Sequence, residues 1–264
     1  MARTKTFTLD DKRALLLVLE ELNSRNVSLP EETAGVLKKK NLVWPVDENG
    51  YFIKKDGTLY NATEAQAGFI ATDSRFSLYY GGRGSGKSCA GGQKALRKIM
   101  DGENGAVINP LFSDFKDSTW KEFKQWIPWD MVVPAQKHRA NDEWQPSQPF
   151  TMVFMNGATV MCKGLKNPDS ARGPNINWLW YDESRNDLTG MAWKMAIASV
   201  RVGKNPQAWT TTTPMGMSHW LYEFFIEKDL PDVVLGIMEK EGISMDSLIS
   251  SFKGSINDNK ENLD

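Results

Sequence analysis

The sequence predicts an α/β fold in which a mainly parallel central sheet is flanked by helices. Short apolar segments with strand character alternate with helical segments from about residue 76 onward. A glycine-rich loop joins the first such strand to a helix, and a later apolar strand ends in two adjacent carboxylates. Parallel sheets bind ligands beyond the carboxyl ends of their strands, so both features predict one site at that edge.

Each element is predicted from the spacing of apolar residues and from the turn residues that bound it. A hairpin is predicted between segments 151–155 and 158–163, because Asn156-Gly157 accepts the positive φ angles of a type I′ turn. It lies in the chain between the glycine-rich loop and the acidic strand, so we expect an inserted hairpin. The other predicted strands span 76–80, 106–109, 178–181 and 208–212, and the predicted helices span 10–26, 87–100, 113–126 and 188–200.

Composition excludes several classes of protein. The chain has 264 residues with 41% apolar content, enough to bury a full core. Its longest apolar stretches are far shorter than the ~20 residues of a membrane helix, and no signal peptide is visible, so we expect a soluble, intracellular protein without a membrane partner. Cys89 and Cys162 do not have zinc-ligand spacing. A net charge of −1 argues against a surface that binds nucleic acid throughout.

The glycine-rich loop matches the phosphate-binding pattern G-x-x-x-x-G-K-[ST] in full. Its backbone N–H groups and the following helix N-terminus favour phosphate. We expect Lys87 to reach the β and γ phosphates and Ser88 to bind Mg²⁺. Arg83 lies inside the loop, where a solvated surface side chain is the simple alternative. The predicted nucleotide-binding residues here are Gly81, Gly82, Arg83, Gly84, Ser85, Gly86, Lys87 and Ser88.

The acidic strand end supplies the second half of the predicted site. Residues 178–181 are followed by Asp182 and Glu183. Asp182 would hold Mg²⁺ through water, and Glu183 would act as general base on the attacking water. A solvated acidic turn is the alternative. Adjacent Asp and Glu favour hydrolysis by a P-loop NTPase of the additional-strand, catalytic-glutamate type over a kinase.

Together these motifs resemble the large subunit of tailed-phage terminases, from about residue 61 to the C-terminus. That family often has an arginine four residues before the loop lysine, as Arg83 is here. Arg172, in an Arg-Gly loop ahead of the acidic strand, would be an arginine finger acting on a neighbouring subunit's ATP, with Arg83 as its rival within one subunit. The alternative for Arg172 is a surface ion pair or a contact with the DNA backbone.

Two further roles come from the same resemblance. Thr212 and Thr213 correspond to the family's coupling motif, although a threonine-rich strand ending at a proline is also simply typical of β-structure. Gln66 corresponds to the glutamine that recognises adenine. It equally fits a helix capping box with Thr63.

The resemblance implies a Mg²⁺-dependent ATPase that drives viral double-stranded DNA into a procapsid. Implied partners are the portal, the procapsid, the small terminase subunit and further copies in a ring, with a monomer as the alternative for the isolated chain. Its expected location is the host cytoplasm and, transiently, the procapsid, but not the mature virion.

The predicted division is a helical appendage at 1–60, a P-loop ATPase core at 61–228 and a lid or linker at 229–264 leading toward a nuclease domain. We expect no nuclease activity in this chain. A helicase-like ATPase and a nucleotide-binding assembly scaffold are the competing functions.

Overall fold

A computed structural model of the chain describes residues 43–133, 143–165 and 174–262. The helix predicted at 10–26 lies outside these residues. The described helices do not include one that is both long and apolar enough to cross a membrane.

The core is a seven-stranded sheet with the order β3-β4-β2-β5-β6-β1-β7. Every neighbouring pair is parallel except β3 and β4, which are antiparallel. Strand β6 lies between β1, which precedes the glycine-rich loop, and β5, which carries the acidic pair, so the predicted additional strand is present. The strands are β1 (Phe76–Gly81), β2 (Gly105–Asn109), β3 (Phe150–Val153), β4 (Thr159–Gly164), β5 (Trp178–Asp182), β6 (Gln207–Thr212) and β7 (Ile249–Gly254).

Helices cover both faces of this sheet. One apolar cluster, which includes α1, α2 and α4, packs on one face, and a second cluster, which includes α5 and α6, packs on the other. The α-helices are α1 (Glu64–Ala71), α2 (Lys87–Met100), α3 (Phe112–Asp114), α4 (Trp120–Trp126), α5 (Met191–Ile197), α6 (Asp232–Glu241) and α7 (Met245–Leu248). π-helical turns span Phe115–Thr119 and Tyr222–Glu227.

Close packing of α2 on β5 depends on a glycine. A Cβ atom on Gly91 would approach the Trp180 ring to 2.5 Å, which is shorter than a real contact. Trp180 is fully buried, as are its neighbours Trp178 and Trp209. The missing side chain therefore lets the helix that follows the phosphate loop sit directly against the strand that carries the acidic pair.

Two predicted elements have a different local form. The segment predicted as a helix at 113–126 is divided by the π-helical turn into α3 and α4. The hairpin is present, but its turn is not type I′, because Asn156 does not have positive φ while Gly157 has φ +88°. The Gly157 amide donates to Phe154 O, and the Phe154 amide donates to Ala158 O. One left-handed glycine is thus sufficient for this three-residue connection. The hairpin also extends the main sheet, since β4 pairs with β2.

The described residues on either side of the predicted core also contact the sheet and its helices. The segment 229–264, expected as a lid or linker, contributes β7, which pairs in parallel with β1 along its whole length. Residues 43–60, assigned to a helical appendage, pack on the core without forming a helix: Phe52 is fully buried and exchanges two hydrogen bonds with the Gln93 side chain, at 2.8 and 2.9 Å. The partners of both segments are remote in sequence, and the division at residues 60 and 228 stays a prediction.

Candidate functional site

The phosphate loop and the acidic strand end meet at the carboxyl edge of the sheet. The loop follows β1, and α2 begins directly after it, with Gly86 as its N-cap at φ +72°. Ser88, in the first turn of α2, donates from Oγ to Oδ2 of Asp182 at 2.9 Å. The two motifs predicted from sequence are therefore in direct contact, although they are 94 positions apart.

Lys87 is placed over the loop that precedes it. Its Nζ donates to the Gly82 carbonyl at 2.8 Å, and only 7% of the residue is exposed. Burial lowers the pKa of the Lys87 amine, while the nearby carboxylates of Glu183 and Asp182 act in the opposite direction. The amine is thus partly desolvated at the position where the motif places a phosphate.

Asp182 is completely buried and is held by three hydroxyl groups. Thr119 donates to Oδ2 at 2.6 Å and Thr211 donates to Oδ1 at 2.5 Å, in addition to the bond from Ser88. Burial raises the pKa of Asp182, and the three hydroxyl bonds lower it. These donors fix the orientation of the carboxylate.

Glu183 turns away from the strand through an unusual backbone conformation. Its amide still donates to Thr211 O at 2.9 Å, but its φ is +52°, in the left-handed region that a glutamate rarely adopts. Such a residue costs on the order of 1 kcal/mol or more and is common at functional sites. Burial raises the pKa of Glu183, as does Asp182, whereas Arg185 and Lys87 lower it.

Arg185 is a neighbour of Glu183 that the sequence did not single out. Its Nε lies 3.2 Å from Glu183 Oε2. The two atoms do not meet hydrogen-bond geometry, so the contact is one of charge rather than an aligned bond. The Arg185 backbone N–H donates to the Thr212 hydroxyl at 3.0 Å. Thr212 is thereby connected through Arg185 to Glu183.

Thr211 and Thr212, at the end of β6, and Thr213, directly after it, have different contacts. Thr212, predicted as a coupling residue, contacts Arg185, and Thr213 accepts a weak bond of 3.4 Å from Thr212 at its carbonyl. The residue that contacts Asp182 is Thr211, which the prediction did not include. Successive side chains of a strand point to opposite faces, and Thr211 is the register partner of Asp182 across β5 and β6. This register would have identified Thr211 as the partner of Asp182. The sequence of one strand does not show which strand pairs with it, so Thr211 could not be predicted.

Gln66 is fully buried behind the phosphate loop. The predicted capping box is present: Gln66 Oε1 accepts from the Thr63 amide at 2.9 Å, and Thr63 Oγ1 accepts from the Gln66 amide at 3.3 Å. Its Nε2 donates to Ser85 O at 3.2 Å and to Asn259 Oδ1 at 2.9 Å. The amide thus contacts the loop, and its recognition of adenine stays a prediction.

A cavity of about 570 Å³ opens beside these groups. Arg83, whose side chain is exposed, and Lys87 both line it, whereas Arg172 lies outside the described residues. One wall comes from α4 and another from the segment before α1, which brings Tyr60 and Asn61 to the site. Among the lining residues are Lys54, Gly84, Gly86, Ser88, Glu122, Trp126, Glu183, Asn259 and Asn262.

Solved structures show the same fold. The large terminase from a thermophilic bacteriophage has a TM-score of 0.57 at 14% identity, covering 76% of this chain and 47% of that one. The complex of that terminase with ADP gives a TM-score of 0.56 at 15% identity, with the same coverage of the two chains. The large terminase ATPase domain of Thermus phage P74-26 gives 0.50 at 18% identity, covering 74% of this chain and 81% of that domain. At these identities the likeness concerns the fold.

Sequence comparison gives the family. The PBSX phage terminase large subunit of Bacillus subtilis (strain 168) is 27% identical over 163 residues, which cover 60% of this chain and 35% of that protein. The chain thus spans about a third of the length of this curated relative. A family model described as phage terminase large subunit matches residues 73–260, well over half of the chain. The chain therefore belongs to the phage terminase large subunit family.

Proposed function

We propose that this chain is the ATPase motor domain of a phage terminase, which hydrolyses ATP with Mg²⁺ and drives double-stranded DNA into a procapsid. The observation that carries the proposal is the 2.9 Å contact between Ser88 Oγ and Asp182 Oδ2, with Lys87 and Glu183 at the same sheet edge. Family membership supports it, as does the ADP complex of the terminase from the thermophilic bacteriophage.

The donor set fits Mg²⁺. A serine hydroxyl and a carboxylate are hard oxygen ligands, and Mg²⁺ in nucleotide sites typically uses one or two such groups together with phosphate oxygens. Ser88 and Asp182 would hold the ion. When bound, it would neutralise charge on the phosphates. Asp182 is fully buried and held by Thr119 and Thr211, so it would keep its orientation without the ion.

The chain's own residues supply the remaining chemistry. The N–H groups of the phosphate loop would cradle the phosphates, and Lys87 would place its positive charge on the β and γ groups. Glu183 would accept the proton of the attacking water as the bond between the β–γ bridging oxygen and the γ-phosphorus breaks.

The proposal extends to the partners and the place of action of the motor. Double-stranded DNA, the portal of the procapsid, the small terminase subunit and a ring of further copies are the proposed partners. The proposed place of action is the host cytoplasm and, transiently, the procapsid, but not the mature virion. Each of these follows from the motor role rather than from a surface feature of the described residues.

The test measures ATP turnover and nucleotide binding in parallel. Glu183→Gln should lower turnover by about 10²–10⁴-fold with binding retained, since it removes only the base. Lys87→Ala should weaken binding. Glu223→Gln, an exposed acid after β6, is the matched control and should behave as the parent. Parental turnover in Glu183→Gln would contradict the base assignment.

The same preparation separates the competing functions. A terminase motor should be stimulated by procapsids that carry a portal, whereas a helicase-like ATPase should respond to nucleic acid alone. Binding of ATP without any turnover, in the presence of procapsid and DNA, would instead favour the assembly scaffold.

A further inference from the structure

Asn259, in the turn that follows β7, reaches back to the phosphate loop. Only 3% of the residue is exposed. Its Nδ2 donates to Gly84 O at 2.8 Å, and its Oδ1 accepts from Gln66 Nε2 and from Asn262 Nδ2, each at 2.9 Å. Both lone pairs of the amide oxygen are used and one N–H is bound to the loop, so the side chain has a single orientation.

Gln66 holds the next carbonyl of the loop. Its Nε2 donates to Ser85 O at 3.2 Å, and the Tyr79 hydroxyl donates to the same oxygen at 3.1 Å. Because its Oε1 is bound to the Thr63 amide, Gln66 is held at the start of α1. Two consecutive carbonyls, those of Gly84 and Ser85, are thus bound by two side-chain amides that are also bound to each other.

This arrangement determines where the loop's donors point. A trans peptide places the carbonyl of one residue and the N–H of the next on opposite sides. Holding Ser85 O on Gln66 and Tyr79 therefore turns the Gly86 N–H toward the cavity that Gly86 lines. The fit is close: a Cβ on Gly86 would lie 2.2 Å from Gln66 Nε2 and 3.1 Å from Asn259 Oδ1.

We propose that Gln66 and Asn259 form an amide clasp that holds the phosphate loop in its phosphate-binding shape, with Asn259 as a positioning residue. The inference rests on the proposed nucleotide site and adds a regulation of it. Because binding and loop shape are thermodynamically linked, phosphate in the loop also stabilises the turn at 255–262. The segment after β7 thereby responds to the occupancy of the site.

The clasp differs from a direct contact with the adenine base, because Asn259 and Asn262 also line the cavity. Inorganic tripolyphosphate separates the two, since it has the phosphates of ATP but neither base nor ribose. Asn259→Ala removes the donor to Gly84 O and the acceptor for Gln66 and Asn262 without adding charge beside the phosphates. We expect this variant to bind ATP and tripolyphosphate about tenfold more weakly, by the same factor for each.

Calorimetry on the whole chain gives these affinities without relying on hydrolysis. Asn257→Ala, at an exposed position of the same turn, is the matched control and should bind both ligands as the parent does. Unchanged binding of both ligands by Asn259→Ala would overturn the clasp. So would weaker binding of ATP alone, because that result identifies a base contact.

A second measurement uses the parent protein and needs no folded variant. Tripolyphosphate should slow backbone hydrogen exchange in residues 255–262, and unchanged exchange there would overturn the linkage. Failure of the proposed function looks different: Lys87→Ala would bind tripolyphosphate as tightly as the parent, or the parent would bind it without turning over ATP.

Discussion

Thr119 donates a 2.6 Å hydrogen bond to Oδ2 of Asp182 across 63 positions of sequence. Thr119 ends the π-helical turn between α3 and α4, and its hydroxyl also accepts from Asn109 Nδ2 at 2.9 Å. A π-helical turn rotates the residues after it relative to a regular helix, and such turns are frequent at functional sites. The irregularity places a neutral donor on the carboxylate that would hold Mg²⁺.

Thr119→Val should lower ATP turnover about tenfold while leaving the fold intact. Valine has the same shape but leaves Asn109 Nδ2 without its acceptor and Asp182 with one donor fewer. Turnover at saturating ATP and Mg²⁺ measures the effect. Thr119→Ser, which keeps the hydroxyl, should restore most of the activity. If both variants turn over ATP as the parent does, Thr119 does not position Asp182.

Gly91→Ala should reduce the free energy of unfolding by about 1–3 kcal/mol, because the new methyl group would overlap the Trp180 ring. Gly236→Ala is the matched control: it lies in α6, where a Cβ would meet no atom within 4 Å. There alanine should stabilise the chain by about 0.5–1 kcal/mol. Chemical denaturation of both variants checks the contrast, and equal effects would show that α2 can shift on β5.

Lys94 should make stability depend on pH above neutrality. It is 2% exposed, donates to Phe69 O at 3.0 Å and Thr72 O at 2.8 Å, and its burial lowers the pKa of the amine to about 7. In the unfolded chain the Lys94 amine has the ordinary lysine pKa of about 10.4. Between about pH 7 and pH 10.4 the unfolded chain therefore binds more protons than the folded chain, so the free energy of unfolding rises with pH in this range.

The measurement compares the parent with Lys94→Met by denaturation at several pH values. Above about pH 7, the free energy of unfolding of the parent should rise relative to that of Lys94→Met by about 1.4 kcal/mol per pH unit. Lys240→Met, at an exposed site on α6, should run parallel to the parent. Parallel curves for Lys94→Met would mean that the amine stays charged, held by its carbonyl partners.

Arg83 should supply transition-state charge within its own subunit, because it lines the same cavity as Lys87 and Glu183. Arg83→Ala should then lower turnover by up to about a thousandfold, and mixing it with Glu183→Gln protein should not restore activity. The rival is Arg172 acting on a neighbouring subunit. Recovery of activity when Arg172→Ala and Glu183→Gln are mixed under assembling conditions, with Arg83→Ala behaving as the parent, would reverse the assignment.

The local sequence pattern predicted the helix and the strand that carry the two motifs of the site. The helix predicted at 87–100 has the bounds of α2, and the strand predicted at 178–181 is one residue shorter than β5. Thr119 and Asn259 escaped prediction because their contacts with Asp182 and Gly84 join remote segments. The place of β7 escaped for the same reason, since its partner β1 precedes it by about 170 residues. Such pairings leave no signal in a single stretch of sequence.

The position of β1 between β6 and β7 has a consequence for synthesis on the ribosome. Phe76 pairs with Ala208 and Ile249, about 130 and 170 residues later in the chain. Translation proceeds at ~5–20 residues per second, so β6 and β7 are synthesised on the order of ten seconds or longer after β1. During that time the apolar side chains of Leu78 and Tyr79, which are buried in the folded chain, lack the strands that pair with β1. The phosphate loop therefore gains both neighbours of its strand only after residue 254 has been synthesised.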